Sequence, residues 1–166
     1  MAAPSAVVVD SQSVRAAETV GRATRGCDAG EKVPGRKRHI VVDTMGVLLA
    51  VSVTPASTQD RVAARSLLRR MRGTGGGRVA LADGAYTGPL IDWARKALHL
   101  VVEIVQRPQV PYSTVLPRRR VVERTLAWIT GHRRGVRDCE RLPHHHEAMV
   151  RWSMIRVTTR RLAQNQ

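Results

Sequence analysis

Two aspartates each close a short run of apolar, largely β-branched residues: Ala6-Val-Val-Val-Asp10 and Arg78-Val-Ala-Leu-Ala-Asp83. A carboxylate at the end of such a strand emerges into the crevice where α/β sheets tend to bind ligands. If the two strands are neighbours, the carboxylates meet, and hard divalent cations such as Mg²⁺ or Mn²⁺ require oxygen ligands of this kind. Two such ions, about 3.5–4 Å apart, can activate an attacking oxygen and stabilise a leaving one. Glu123 is the candidate third ligand, because the apolar residues around it in Val121-Val-Glu-Arg-Thr-Leu-Ala-Trp128 can bury its helix face and aim it inward. The spacing alone leaves a bland reading open, since Asp is common as a turn or cap residue and Glu on a helix is usually solvated. Asp43 is the control: it also ends a strand, and the adjoining Thr44-Met45-Gly46 turn explains it without a metal.

The elements that must position these side chains are legible as strand and helix patterns. Three further β-rich runs, His39–Asp43, Val47–Val53 and Leu100–Val105, join the two that end on Asp10 and Asp83. The three-residue break between the second and third predicts an antiparallel hairpin. Helical spacing over Asp60–Met71, with Val62, Leu67, Leu68 and Met71 on one face, and over Pro89–Leu98 predicts crossovers between parallel strands. After a Pro-containing stretch, 108–117, two helices are expected at about 119–133 and 144–162. Residues 14–38 are polar and aperiodic and read as a long loop. The order predicts one α/β domain over residues 1–166, a mixed five-stranded sheet with flanking helices.

Composition limits the partners. Twenty-eight Lys and Arg against thirteen Asp and Glu leave a net charge of +15, which points to a polyanion such as nucleic acid. Phe is absent and there are only three Trp and two Tyr, so phosphate contact is favoured over base stacking. Cys27 and Cys139 are isolated, which signals neither a disulfide framework nor a zinc ribbon and suits a reducing cytoplasm. No apolar run approaches the roughly 20 residues of a membrane helix, and none has the form of a signal core.

Several blocks, taken together and in order, carry a family resemblance: Val9-Asp10-Ser-Gln-Ser-Val14, Gly35-Arg-Lys-Arg-His-Ile-Val-Val-Asp43, Ala82-Asp-Gly-Ala-Tyr86, Leu116-Pro-Arg-Arg-Arg-Val-Val-Glu-Arg-Thr-Leu-Ala-Trp128 and Met154-Ile-Arg156. They resemble DDE transposases of bacterial insertion sequences over nearly the whole chain. The resemblance implies an RNase H-like fold, with Asp10, Asp83 and Glu123 as an acidic triad holding two Mg²⁺ or Mn²⁺ ions. It further implies DNA cleavage at element ends followed by strand transfer into target DNA. Arg119 matches a basic position of the family, one helical turn before Glu123, where it would clamp a phosphate. Leu116 and Thr130 stand where many relatives have Tyr and a basic residue. Relatives usually have an N-terminal helical segment for recognising element ends, which this chain is expected to lack. Joining two ends implies a homodimer or larger assembly on double-stranded DNA, associated with the nucleoid. The rival reading is a non-catalytic basic DNA-binding remnant of a transposase.

Two basic clusters are candidates for phosphate contact: Arg36, Lys37, Arg38 and His39, and, around Glu123, Arg118, Arg120, Arg124, Arg133 and Arg134. His144-His145-His146 near Cys139 lacks recognised zinc spacing. Ser11 and Ser13 lack an evident His base and read as polar strand-end residues. Trp93, Trp128 and Trp152 are expected as core anchors.

Overall fold

The computed structural model describes residues 4–105 and 117–164. Its centre is β1 (Ala6–Arg15), in which Val7 and Val9 face one side of a sheet and Val8 the other, all three buried. A strand that is apolar on both faces needs cover on both. On one side α1 (Asp60–Gly73) and α2 (Pro89–Leu98) supply it, through Ala64, Leu67, Leu68, Met71, Leu90 and Ala94. On the other side α3 (Pro117–Thr130) and α5 (Pro143–Gln164) pack Val122, Leu126, Ile129, Val150 and Met154 against Val8, Ile40, Val51 and Leu81. A short α4 (Arg133–Val136) joins α3 to α5. The result is a three-layer α/β/α sandwich with a core on each face of the sheet.

The remaining strands are β2 (Gly26–Asp28), β3 (Val33–Asp43), β4 (Leu48–Pro55), β5 (Val79–Ala82) and β6 (Val101–Ile104). β3 runs antiparallel to β1 along one edge and to β2 and β4 along the other; β5 lies parallel to β1 on its far side, and β6 parallel to β5. The expected mixed sheet, the β3–β4 hairpin and the neighbouring strands that lead to Asp10 and Asp83 are all present. Asp43 is indeed a turn residue: its Oδ1 accepts from the N–H groups of Met45 and Val47, each at 2.8 Å.

Three expectations are corrected. Residues 14–38 are not one loop: they contain the end of β1, all of β2 and the first half of β3, so the sheet has six strands. The alternating signal is missing there because Arg36, Lys37, Arg38 and His39 occupy covered positions that apolar residues fill elsewhere. Gly35 allows the long β1–β3 ladder at this point, since a Cβ on it would stand 2.0 Å from the Val14 carbonyl oxygen. Val62 is 61% exposed, and Ala63 and Ala64 take its place on the inner face of α1. Trp152 is 71% exposed, whereas Trp93 and Trp128 pack against the two cores. The helix expected at about 144–162 is present as α5, whose inner face carries His146, Glu147 and Ser153 beside Val150 and Met154.

Candidate active site

The parallel pairing of β1 with β5 sets Val8 beside Leu81, and two residues further along each strand come Asp10 and Asp83. Neighbouring strands lie about 4.8 Å apart, and alternation keeps both aspartates on the face of Val8 and Leu81. Both carboxylates line one crevice under α3, together with Val8, Leu81, Val105 and Val122. Each aspartate is held locally. Asp10 Oδ1 accepts from the Ser11 N–H at 2.8 Å, and Asp83 Oδ1 accepts from the Ala85 N–H at 2.9 Å, capping the short 3₁₀ turn Gly84–Tyr86.

Glu123 is placed differently from the two aspartates. Val122, 1% exposed, lines the crevice, whereas Glu123, the next residue and about 100° further round α3, is exposed. The expectation that its apolar neighbours bury it is corrected, because α3 packs through positions 122, 125, 126 and 129. Among the described residues no three His, Cys, Asp or Glu side chains converge closely enough to hold a metal ion. The donor chemistry nevertheless fits a hard cation: two adjacent carboxylates on one sheet face, with a third carboxylate one helical position from the crevice wall. The side chains of Arg118 and Arg119 lie outside the described residues.

The first basic cluster is not a DNA-facing surface. Arg36, Arg38 and His39 are at most 1% exposed and Lys37 8%. Arg36 donates through Nε to the Thr24 carbonyl, through Nη1 to Asp138 and the Glu140 carbonyl, and through Nη2 to Thr24 Oγ1 and the Arg141 carbonyl. Its five N–H groups are thereby all engaged, which is the condition for burying a guanidinium. Arg38 donates to Gln12, Thr130 and the Gly135 carbonyl, and burial lowers its pKa to about 10. Lys37 Nζ lies 2.7 Å from Asp28 and 3.4 Å from Asp60. Its ammonium is disfavoured by burial, but those two carboxylates outweigh that and raise its pKa. The Lys37 hydrogen bond in turn holds Asp28 well below the usual carboxylate range. These residues tie β3 to α1, α4 and the segment before α5. Arg120, Arg124, Arg133 and Arg134, by contrast, are exposed.

Sequence reasoning missed Asp28, Asp60, Tyr86, Asp138 and His146. Asp138, fully buried, accepts from Arg36 and from the Glu140 N–H, and His146 Nδ1 lies 3.2 Å from its Oδ1. Burial raises the Asp138 carboxyl, yet His146, the Glu140 N–H and Arg36 together lower it. Of these only Asp28 lies in a strand, β2, and the other four are in helices, a turn or a connecting segment, so no strand pattern marks them.

A family model described as Transposase DDE domain matches residues 2–157. The chain belongs to that family. A comparison with curated protein sequences gave no match. Among solved structures, the DDE domain is similar to the catalytic core domain of BIV integrase, at 16% identity and a TM-score of 0.55, covering 90% of this chain and 80% of that one. The HTLV-2 integrase catalytic core domain in complex with magnesium is also similar, at 16% identity and a TM-score of 0.54, with 92% and 84% covered. A chain of a simian T-cell lymphotropic virus intasome in complex with a PP2A regulatory subunit gives 17% identity, a TM-score of 0.56, and 89% and 48% coverage. At these identities the likeness is one of fold, and it gives the DDE domain an RNase H-like fold. Among its described residues no helix is long and apolar enough to cross a membrane.

Proposed function

We propose that this DDE transposase domain cuts and joins DNA strands at the crevice between β1 and β5, with Asp10, Asp83 and Glu123 holding two divalent cations, Mg²⁺ or Mn²⁺. The observation that carries the reading is the side-by-side placement of Asp10 and Asp83 at the end of one parallel strand pair. Bound cations supply Lewis acidity to the attacking and leaving oxygens of a phosphodiester. The Ser11 and Ala85 N–H groups orient the two aspartates. Glu123 closes the set from the rim of α3, and Arg119, one helical turn before it, steadies a phosphate. Exposed Arg120, Arg124, Arg133 and Arg134, with Arg118, draw the duplex to this face and offset repulsion between DNA and the carboxylates. The substrates are element ends and target duplex, the working unit is a homodimer or larger, and the site of action is the nucleoid.

The non-catalytic remnant is the second reading, and the exposure of Glu123 on α3 is what favours it. The test is Mn²⁺- or Mg²⁺-dependent nicking of DNA carrying the flanking element ends, for wild type, Asp10→Asn, Asp83→Asn and Glu123→Gln at one salt concentration. Nicking by wild type that all three variants lose, with DNA binding retained, is the expected result. Salt-sensitive DNA binding by wild type with no nicking supports the remnant.

A further inference from the structure

We infer that Ser11, tethered by Asp60, is a positioning residue for Asp10: a polar network on the α1 side of the sheet sets the orientation of the carboxylate on the α3 side. This rests on the reading of Asp10 as catalytic.

Ser11 follows Asp10 on β1, so its side chain faces the opposite layer. Its N–H donates to Asp10 Oδ1 at 2.8 Å, and its hydroxyl donates to Asp60 Oδ1, also at 2.8 Å, in the first turn of α1. One residue thereby grips a carboxylate on each side of the strand. Asp60 is steadied by Lys37 at 3.4 Å, and the same ammonium holds Asp28, which accepts from the Ser13 hydroxyl at 2.7 Å. Ser11 and Ser13 are same-face neighbours, so β1 is fastened at two successive positions just beyond Asp10. A rotation of the strand that swung Asp10 away from Asp83 would break both fastenings.

An independent observation comes from the other catalytic strand. Tyr86, three residues past Asp83, is 2% exposed, and its buried hydroxyl has no aligned hydrogen bond among the described residues. It lies close enough to Ser11 and to the carboxylates of Asp60, Asp10 and Asp83 to interact with them. Both strand ends therefore meet the same polar cluster. Half-buried charges contribute little net stability once desolvation is counted. What such a cluster does supply is a fixed geometry for the groups bonded to it.

The experiment uses this chain with Mn²⁺ alone as the probe. Mn²⁺ binding is followed by electron paramagnetic resonance, nicking is measured against Mn²⁺ concentration, DNA affinity is measured in EDTA, and thermal unfolding is recorded. Ser11→Ala keeps the N–H that reaches Asp10 and removes only the tether. It and Asp60→Ala, which removes the acceptor, are expected to weaken Mn²⁺ binding about 10- to 100-fold. Their nicking should recover at high Mn²⁺, and metal-free DNA affinity should not change. Ser11→Thr, which keeps the hydroxyl, should bind Mn²⁺ as wild type does. Wild-type Mn²⁺ affinity in Ser11→Ala overturns the inference, as does a loss that Ser11→Thr shares and that tracks a lowered melting temperature. Asp10→Asn separates the two levels: if it nicks normally, the active-site reading is wrong, whereas if it is inactive and Ser11→Ala is unaffected, only the positioning role fails.

Discussion

Asp10 on β1 and Asp83 at the end of β5 share one parallel register and one face of the sheet, the face that α3 covers. Two carboxylates held this close repel each other, and a cation between them removes the repulsion. Added Mn²⁺ should therefore raise the melting temperature of wild type, since it binds the folded state alone. The increase should vanish in Asp10→Asn and in Asp83→Asn, and an equal rise in the variants would sink the shared-site idea.

Because the two aspartates serve one site, their effects on nicking should not add. Each single Asn variant is expected to lose at least about 100-fold in rate. The double variant should fall no further than the worse single one in single-turnover assays.

Buried and exposed arginines should separate cleanly in two measurements. Arg36→Met leaves Asp138 buried without its guanidinium and should cost about 3–5 kcal/mol in urea unfolding. Arg120→Gln and Arg133→Gln should change stability by less than about 0.5 kcal/mol. Each should instead lower the slope of log affinity against log salt by about 0.9 if it contacts one phosphate. An Arg36→Met variant that is stable but fails to bind DNA would reverse the assignment.

His39 makes stability depend on pH. Burial, with the Lys37 charge adding to it, holds its pKa at about 4 despite nearby Asp60, against 6.5 in the unfolded chain. A base whose folded pKa is depressed contributes its full stability above pH 6.5 and loses it as the unfolded chain takes up a proton between pH 6.5 and 4. The loss is at most about 3 kcal/mol. Chemical denaturation of His39→Gln across that window should show a flatter pH profile than wild type.

Gly35 tests the close approach of β1 and β3. In Gly35→Ala the new methyl would meet backbone, the Val14 carbonyl oxygen at 2.0 Å and the Ala16 nitrogen at 2.6 Å, so the strands must part. The cost should exceed the about 1–3 kcal/mol typical of overpacking by a side chain. Amide exchange at the Arg36 end of the ladder should accelerate.

How much of this was legible in the sequence differs from residue to residue. Val7, Val8 and Val9 reveal β1 because a strand covered on both faces must be continuously apolar. Arg36 to His39 hide the first half of β3, because a charged side chain reads as solvated unless its partners are known. Those partners, Asp138, Glu140, Thr24, Asp28 and Asp60, lie far off in sequence or in an apparent loop. Glu123 was identifiable as a candidate through its surrounding block, yet its exposure depended on which side of α3 meets the sheet.

By itself the sequence determined the apolar strands and the helices with their order, the two strand-end aspartates and the excess of positive charge, since these follow from local periodicity and composition. Only the tertiary structure decided that β1 lies beside β5, that four basic residues serve the interior, and that Ser11 links the two faces of the sheet. Those outcomes depend on contacts between segments far apart in the chain, where burial of one charge is tolerable only after another has been brought to meet it.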